Sequence, residues 1–260
     1  TFYSWTRDFS SVVYDGTHSD KRSDLITYQS YNEFSRGINS IPSSDANYTD
    51  NYKHIRRTNL LLQNAEAYAK PEDIKQYIGE AYFFRAYSYF DLLQLYGDVI
   101  ITKKPLDITD PEMKVKRNDR SEVVDLIIDD LNHAVENLPA FKELTTEEEG
   151  RISKEGAQAF LSRVALYEGT WQKSRNGNQN TQRSANLLDI AAKAARTVID
   201  AKYGYTFRLF GTDSETKILG DSAQKYMFIL ENEKSNPAGI KKSSNHEYIF
   251  ARRHDQVLAS

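Results

Sequence analysis

The stretch IGEAYFFRAYSYFDLLQLYG, residues 78–97, decides the fold because it predicts a single long helix. Along it and just before it, apolar or small side chains recur every three or four residues, which places them on one helix face: Ile74, Ile78, Ala81, Phe84, Ser88, Leu92 and Leu95. Pro71 stands where a first-turn proline is favoured, and Gly97 stands where helices commonly end. We therefore predict a helix from about Ile74 to Tyr96 with its apolar face buried.

The same spacing predicts further helices on both sides of this one. An earlier helix follows Asp45, a favoured N-cap residue, and a later one runs from about Ser121 to the residues before Pro139. A fourth is predicted from Ser153 to near Gly169, and a fifth over 187–199. Helices joined by short connections pair antiparallel. We predict that residues 47–204 form a scaffold of tetratricopeptide-like helix pairs.

The remaining segments show no sustained helical period. Residues 1–46 are polar and aromatic and are predicted to be a loop-rich ligand-binding segment. Residues 98–110 are β-branched and contain proline, so we expect them to be extended, and 205–260 are irregular with short apolar bursts. The predicted fold is mainly α, with tetratricopeptide-like helix pairs, irregular loop-rich segments and a few short strands.

Composition and motifs argue against several classes of function. The net charge of −3 argues against a nucleic-acid binder, which would normally carry a basic excess. The chain has no cysteine, no two histidines at metal-binding spacing and no phosphate-binding or nucleophile-elbow motif. We therefore predict a protein that is not an enzyme and needs no cofactor or metal. Two alternatives stay open: a hydrolase with an unrecognised carboxylate pair, and a calcium site at Asp15, Asp20 and Asp24.

Aromatic residues are the compositional outlier, with 17 Tyr, 12 Phe and 2 Trp. In the first segment, several of them stand beside planar charged groups: Trp5, Arg7, Asp8, Tyr14, Asp15, Tyr28 and Tyr31. A sugar ring offers an apolar CH face that stacks on an aromatic ring and a rim of hydroxyls that bond to polar side chains. We predict that these residues bind carbohydrate. Trp171 is instead predicted to follow the fourth helix directly and to cap the core.

Four segments together resemble the SusD/RagB family of outer-membrane glycan-binding lipoproteins. They are YKHIRRTNLLLQNAE (52–66), GEAYFFRAYSYFDLLQLYGDVIIT (79–102), RSEVVDLIIDDLNHAVENLP (120–139) and GRISKEGAQAFLSRVALYEGTW (150–171). The second and fourth carry the most specific part of the resemblance. It extends from about residue 47 to about residue 210.

The resemblance implies a lipid-anchored protein of the outer-membrane surface that binds an oligo- or polysaccharide. It also implies a partner, a SusC-like TonB-dependent transporter, to which the glycan is delivered. Family members are longer, so we expect this chain to be the N-terminal part, with the anchoring cysteine outside it and membrane contact only through that anchor. Glycan contacts do not form a family motif, so no binding residue is carried over. An interaction scaffold or a peptide-binding component of the same kind of transporter is the alternative.

Overall fold

Helices make up most of the structure, a computed structural model that describes residues 37–250 except Asn39, Glu149, 176–180 and Glu231. The long helices are α1 (Ala46–Glu66), α2 (Lys75–Tyr96), α3 (Arg120–Asn137), α4 (Lys154–Arg175) and α5 (Thr181–Ile199), and α6 (Ala223–Tyr226) is a single turn. Each long helix packs against the next one along the chain. The predicted mainly helical architecture is confirmed.

The ends of the helices follow from local chemistry. The Asp45 carboxylate accepts the Asn47 N–H and so caps α1. A 3-10 turn beginning at Pro71 leads into α2, which ends at Tyr96 with Gly97 as its C-cap. Asp119 forms a capping box with Glu122 at the start of α3, so the first free N–H groups of that helix are satisfied.

The centre of the core lies around α2, whose residues contact α1 and α3 and pack into one large apolar cluster. Arg85 lies inside this cluster, and its guanidinium donates to both oxygens of Asp130 on α3, at 2.8 and 2.6 Å. Its third contact is the Asn59 side-chain oxygen on α1, at 2.8 Å. The buried charge is therefore paired in a way that ties three helices together.

The segment between α2 and α3 forms no helix over 98–110, in line with the prediction that it is extended, and it lies against α1 and α2. The side chains of Tyr52 and Asn59 on α1 donate to its carbonyls at Ile100 and Thr102. Its pairing is one isolated antiparallel bridge between Val99 and Asn118. The prediction of a few short strands thus overestimates the strand content of the described residues. Backbone groups of this segment bond to side chains instead of to a second strand.

The prediction that Trp171 follows the fourth helix is wrong. Helix α4 continues to Arg175, so Trp171 is itself helical. Gly169 had suggested a helix end. It lies instead where α5 comes close: a β-carbon there would be 3.0 Å from the Leu188 side chain. This glycine permits close helix packing and does not terminate the helix.

Residues 205–250 are mostly turns and loops around a second, smaller apolar cluster. Its buried members are Leu219, Ala223, Leu230 and Ile240. Within the described ranges, none of the helices combines the length and the hydropathy required of a transmembrane span.

Candidate functional site

A polar cleft of about 780 Å³ lies at the C-terminal end of α2. Its volume is in the range of small-molecule binding sites. Three separate stretches of chain line it: Tyr96, Gly97 and Asp98; Lys116, Arg117, Asp119, Arg120 and Ser121; and Trp171 and Gln172. The end of α2, the start of α3 and the end of α4 therefore meet here.

Arg120 is the fixed centre of this cleft. Its guanidinium forms an ion pair with the fully buried Glu168 carboxylate, with Nε and Nη2 at 2.9 and 2.8 Å from Oε2. The Gln172 amide donates to the other carboxylate oxygen at 2.6 Å. The guanidinium carbon lies 4.1 Å from the ring centre of Trp171, within the distance of a cation–π contact. Arg120 and the partly exposed Trp171 ring are thus held together before any ligand arrives.

The carboxylates of the cleft bond to the backbone at the start of α3. Asp98 accepts the Arg120 N–H at 3.0 Å, and Asp119 accepts the Ser121 N–H at 2.8 Å. A helix N-terminus carries a partial positive charge that offsets such carboxylates. Lys116 and Arg117 are exposed, and among the described residues no ion pair or hydrogen bond joins either side chain to another group.

Tyr96 connects the cleft to the start of α1. Its hydroxyl donates to the second Asp45 oxygen at 2.6 Å. This hydrogen bond, with the Asn47 N–H, lowers the pKa of the Asp45 carboxyl below its usual value. Burial and the nearby Asp45 charge raise the pKa of Tyr96, so its hydroxyl stays protonated. The N-cap of α1 and the end of α2 are therefore joined by a charge-assisted hydrogen bond.

A second depression, of about 470 Å³, lies at the other end of α2 and is mainly apolar. We call it the apolar groove; it is lined by Arg57, Leu60, Leu61, Asn64, Ala65, Tyr68, Ile74 and Tyr77. Tyr77 contacts Arg151, whose guanidinium carbon is 4.9 Å from the ring centre. Arg151 in turn donates to the buried Glu80 carboxylate at 2.6 Å.

The seven predicted carbohydrate-binding residues lie outside the described residues, as do the three aspartates of the calcium alternative. Both remain predictions. Across the part of the chain that the structure describes, no group of three or more His, Asp or Glu side chains is placed to hold a metal ion.

Sequence reasoning missed the polar cleft, because residues from three distant stretches form it. A signal was nevertheless present. Leu161, Val164, Glu168 and Gln172 lie at three- and four-residue spacing on the buried face of α4. A carboxylate on such a face needs a cation, and that requirement points to a buried ion pair.

Comparison with known proteins gives a consistent result. A family model described as starch-binding and associating with the outer membrane, SusD-like, matches residues 9–166. A SusD-like protein of Formosa agariphila is 33% identical over 133 residues, which are 50% of this chain and 25% of that protein. A second one from the same organism is 26% identical over 202 residues, 76% of this chain and 38% of the relative.

Solved structures agree with the sequence matches. A SusD-like protein of Bacteroides fragilis superposes with a TM-score of 0.62 at 25% identity, covering 85% of this chain and 36% of that structure. A laminarin-binding SusD-like protein gives a TM-score of 0.54 at 25% identity, covering 73% of this chain and 38% of the other. The chain thus spans well under half the length of these proteins.

Proposed function

Because the chain belongs to the SusD-like family, we propose that it binds an oligo- or polysaccharide at the cell surface without cleaving it and delivers it to a SusC-like TonB-dependent transporter. The observation that carries the proposal is the partly exposed Trp171 ring, which the fixed Arg120 guanidinium holds at a polar cleft. The laminarin-binding relative adds support, since it shares the fold at 25% identity. Outer-membrane location and a lipid anchor belong to the same proposal.

The cleft offers the two kinds of contact that a sugar needs. The partly exposed Trp171 ring supplies an apolar face for the CH side of a pyranose. Asp98 and Asp119 supply acceptors for sugar hydroxyls. Arg120, whose side chain is 11% exposed, bonds to Glu168 and to the Leu93 carbonyl and so holds the ring in place. The Asp98 and Asp119 carboxylates already bond to helix N–H groups. They are engaged in capping α3, a role that suits binding rather than cleavage.

Residues 1–46 form the second part of the proposal. Their candidate carbohydrate contacts, Trp5 and Tyr14 among them, would add stacking surfaces to the scaffold of residues 47–204. Residues 205–260 would lead into the remainder of a longer protein.

Affinity electrophoresis of the protein through gels containing single polysaccharides tests this function. We expect at least one polysaccharide to retard the protein, and Trp171→Ala to lose much of that retardation. The matched control is Tyr77→Ala, since Tyr77 is a partly exposed ring beside an ion-paired arginine at the other end of α2. Normal mobility in every gel would contradict the proposal. Product analysis after long incubation with the retarding glycan should show no cleavage.

A second candidate function is a scaffold for protein or peptide binding, favoured by the apolar groove. Leu60, Tyr68 and Tyr77 are each about half exposed there. This function predicts normal mobility in all polysaccharide gels. It also predicts that Leu60→Glu weakens binding to an apolar peptide, whereas Trp171→Ala does not.

A further inference from the structure

We propose that the glycan bound in the polar cleft is acidic and that its carboxylate or sulfate groups are held by Lys116 and Arg117. This inference rests on the proposed function, because it names the class of glycan for the same cleft. It concerns the one pair of adjacent cationic side chains among the residues lining the cleft.

The charged groups of the cleft separate into those that bond to a fixed group of the protein and those that do not. The Arg120 charge is paired with Glu168, whose side chain is fully buried. The Asp98 and Asp119 charges face the N-terminal N–H groups of α3. Lys116 and Arg117 have neither kind of compensation within the described part of the chain. Lys116 and Arg117 are therefore the two cations of the lining whose side chains are not engaged in an ion pair with another described residue.

The backbone that carries these two cations is held in place. The next residue, Asn118, donates its N–H to the Val99 carbonyl at 2.9 Å, and its side-chain oxygen accepts the Ile101 N–H at 2.9 Å. Asp119 then caps α3. The two side chains are thus attached to a fixed rim and exposed to solvent, so an incoming anion does not have to break an existing ion pair.

Trp171 together with Lys116 and Arg117 favours an acidic sugar over a free anion as the ligand. A uronic acid or sulfated sugar has a CH face that can stack on the ring and a charged group at its edge that can reach Lys116 or Arg117. Inorganic sulfate offers only the charge, and a neutral sugar offers only the face. A ligand with both a CH face and a charged group can contact the Trp171 ring and the cation pair at the same time.

Isothermal titration with three oligosaccharides of equal length tests the inference: oligogalacturonate, a sulfated galactan oligomer and a neutral laminarin oligomer. We expect at least one acidic ligand to bind more tightly than laminarin, and its affinity to fall as salt is raised. The double variant Lys116→Ala/Arg117→Ala should lower the affinity for that ligand about five- to tenfold, as expected for the loss of two exposed ion pairs. The affinity for laminarin, which carries no charged group, should fall less.

The control is Lys70→Ala/Lys75→Ala, which removes two exposed lysines near the start of α2, beside the apolar groove. It should leave the affinity for the acidic ligand unchanged. Two results would overturn the inference while leaving glycan binding intact. One is a higher affinity for laminarin than for either acidic ligand, and the other is an unchanged affinity for the acidic ligand in the Lys116/Arg117 variant. If no polysaccharide retards the protein in affinity electrophoresis, the proposed function itself is contradicted. The two acidic ligands distinguish carboxylate from sulfate recognition.

Discussion

The two ends of α2 carry the same three-part arrangement in different surroundings. At the C-terminal end, Trp171 lies against Arg120, which pairs with buried Glu168. At the N-terminal end, Tyr77 lies against Arg151, which pairs with buried Glu80. In each case a buried carboxylate fixes an arginine, and the arginine covers an aromatic ring.

The two arrangements differ in the residues that surround them. The Trp171 end includes the start of α3 and the Lys116–Arg117 pair, so it forms a polar cleft. The Tyr77 end includes Leu60, Leu61 and Ile74, so it forms an apolar groove. The proposal that the Trp171 end binds a glycan therefore rests on the neighbouring helix end and on Lys116 and Arg117, which the Tyr77 end lacks.

The largest expected difference between the ends is in the free energy of unfolding after loss of each arginine. Arg120→Ala leaves the fully buried Glu168 without its cation and should cost about 3–5 kcal/mol. Arg151→Ala should cost less, about 1–3 kcal/mol, because its side chain is 24% exposed and water can replace it more easily. Urea denaturation followed by circular dichroism measures both.

A double variant separates loss of the ion pair from loss of packing. Arg120→Met/Glu168→Met removes both charges, so it should recover much of the stability lost in Arg120→Ala. The exposed neighbour Arg117→Ala should change stability by less than about 0.5 kcal/mol. Equal costs for Arg120→Ala and Arg151→Ala would mean that burial does not distinguish the two ends.

Glycines near the two ends of α2 should give intermediate effects for unlike reasons. In Gly79→Ala the new β-carbon would meet the Leu138 side chain at 2.8 Å and the Leu138 backbone nitrogen at 2.9 Å, so overpacking should cost roughly 1–3 kcal/mol. Gly97 has a φ of 72° and open space around it, so Gly97→Ala should cost about 1–2 kcal/mol through backbone strain alone.

Thermal unfolding of these variants, with the exposed α2 substitution Gln94→Ala as control, tests the two explanations. Leu138→Ala in the Gly79→Ala background should relieve part of the cost of Gly79→Ala, because it removes the contacting side chain. The same second change should do nothing for Gly97→Ala. Relief of Gly97→Ala by Leu138→Ala would contradict the assignment of its cost to φ.

The helices of the scaffold were predictable because their signals are local. The three- and four-residue spacing of apolar side chains, the N-cap at Asp45, Pro71 before α2 and Gly97 after it each act within a turn or two. Gly169 shows the limit of such signals. A glycine looks the same in sequence whether it ends a helix or lets another helix approach, and only the position of Leu188 decides between them.

The polar cleft was not predictable, because its contacts are long-range. Glu168 on the buried face of α4 indicates a need for a cation, but the chain has 34 Lys and Arg residues that could supply it. Arg120 is 48 positions away in sequence. Only the packing of α3 against α4 brings the two together, and no local pattern encodes that choice.

The smallest expected difference between the ends is in the pH dependence of stability. The Tyr96 hydroxyl, at the cleft end, holds the pKa of Asp45 below 3.8, so this carboxylate stabilises the fold above that pH and loses its contribution as the pH falls through its folded pKa. In Tyr96→Phe the pKa of Asp45 returns towards its usual value, and the loss of stability between about pH 5 and pH 3 should become shallower.

The control is Tyr77→Phe, which makes the same change at the other end of α2. Among the described residues no carboxylate is bonded to the Tyr77 hydroxyl, so the pH profile of this variant should follow that of the parent protein. Urea denaturation at a series of pH values measures the slopes. A parallel change in both variants would show that the hydrogen bond to Asp45, and with it the link between α1 and the cleft, does not set the acid response of this end.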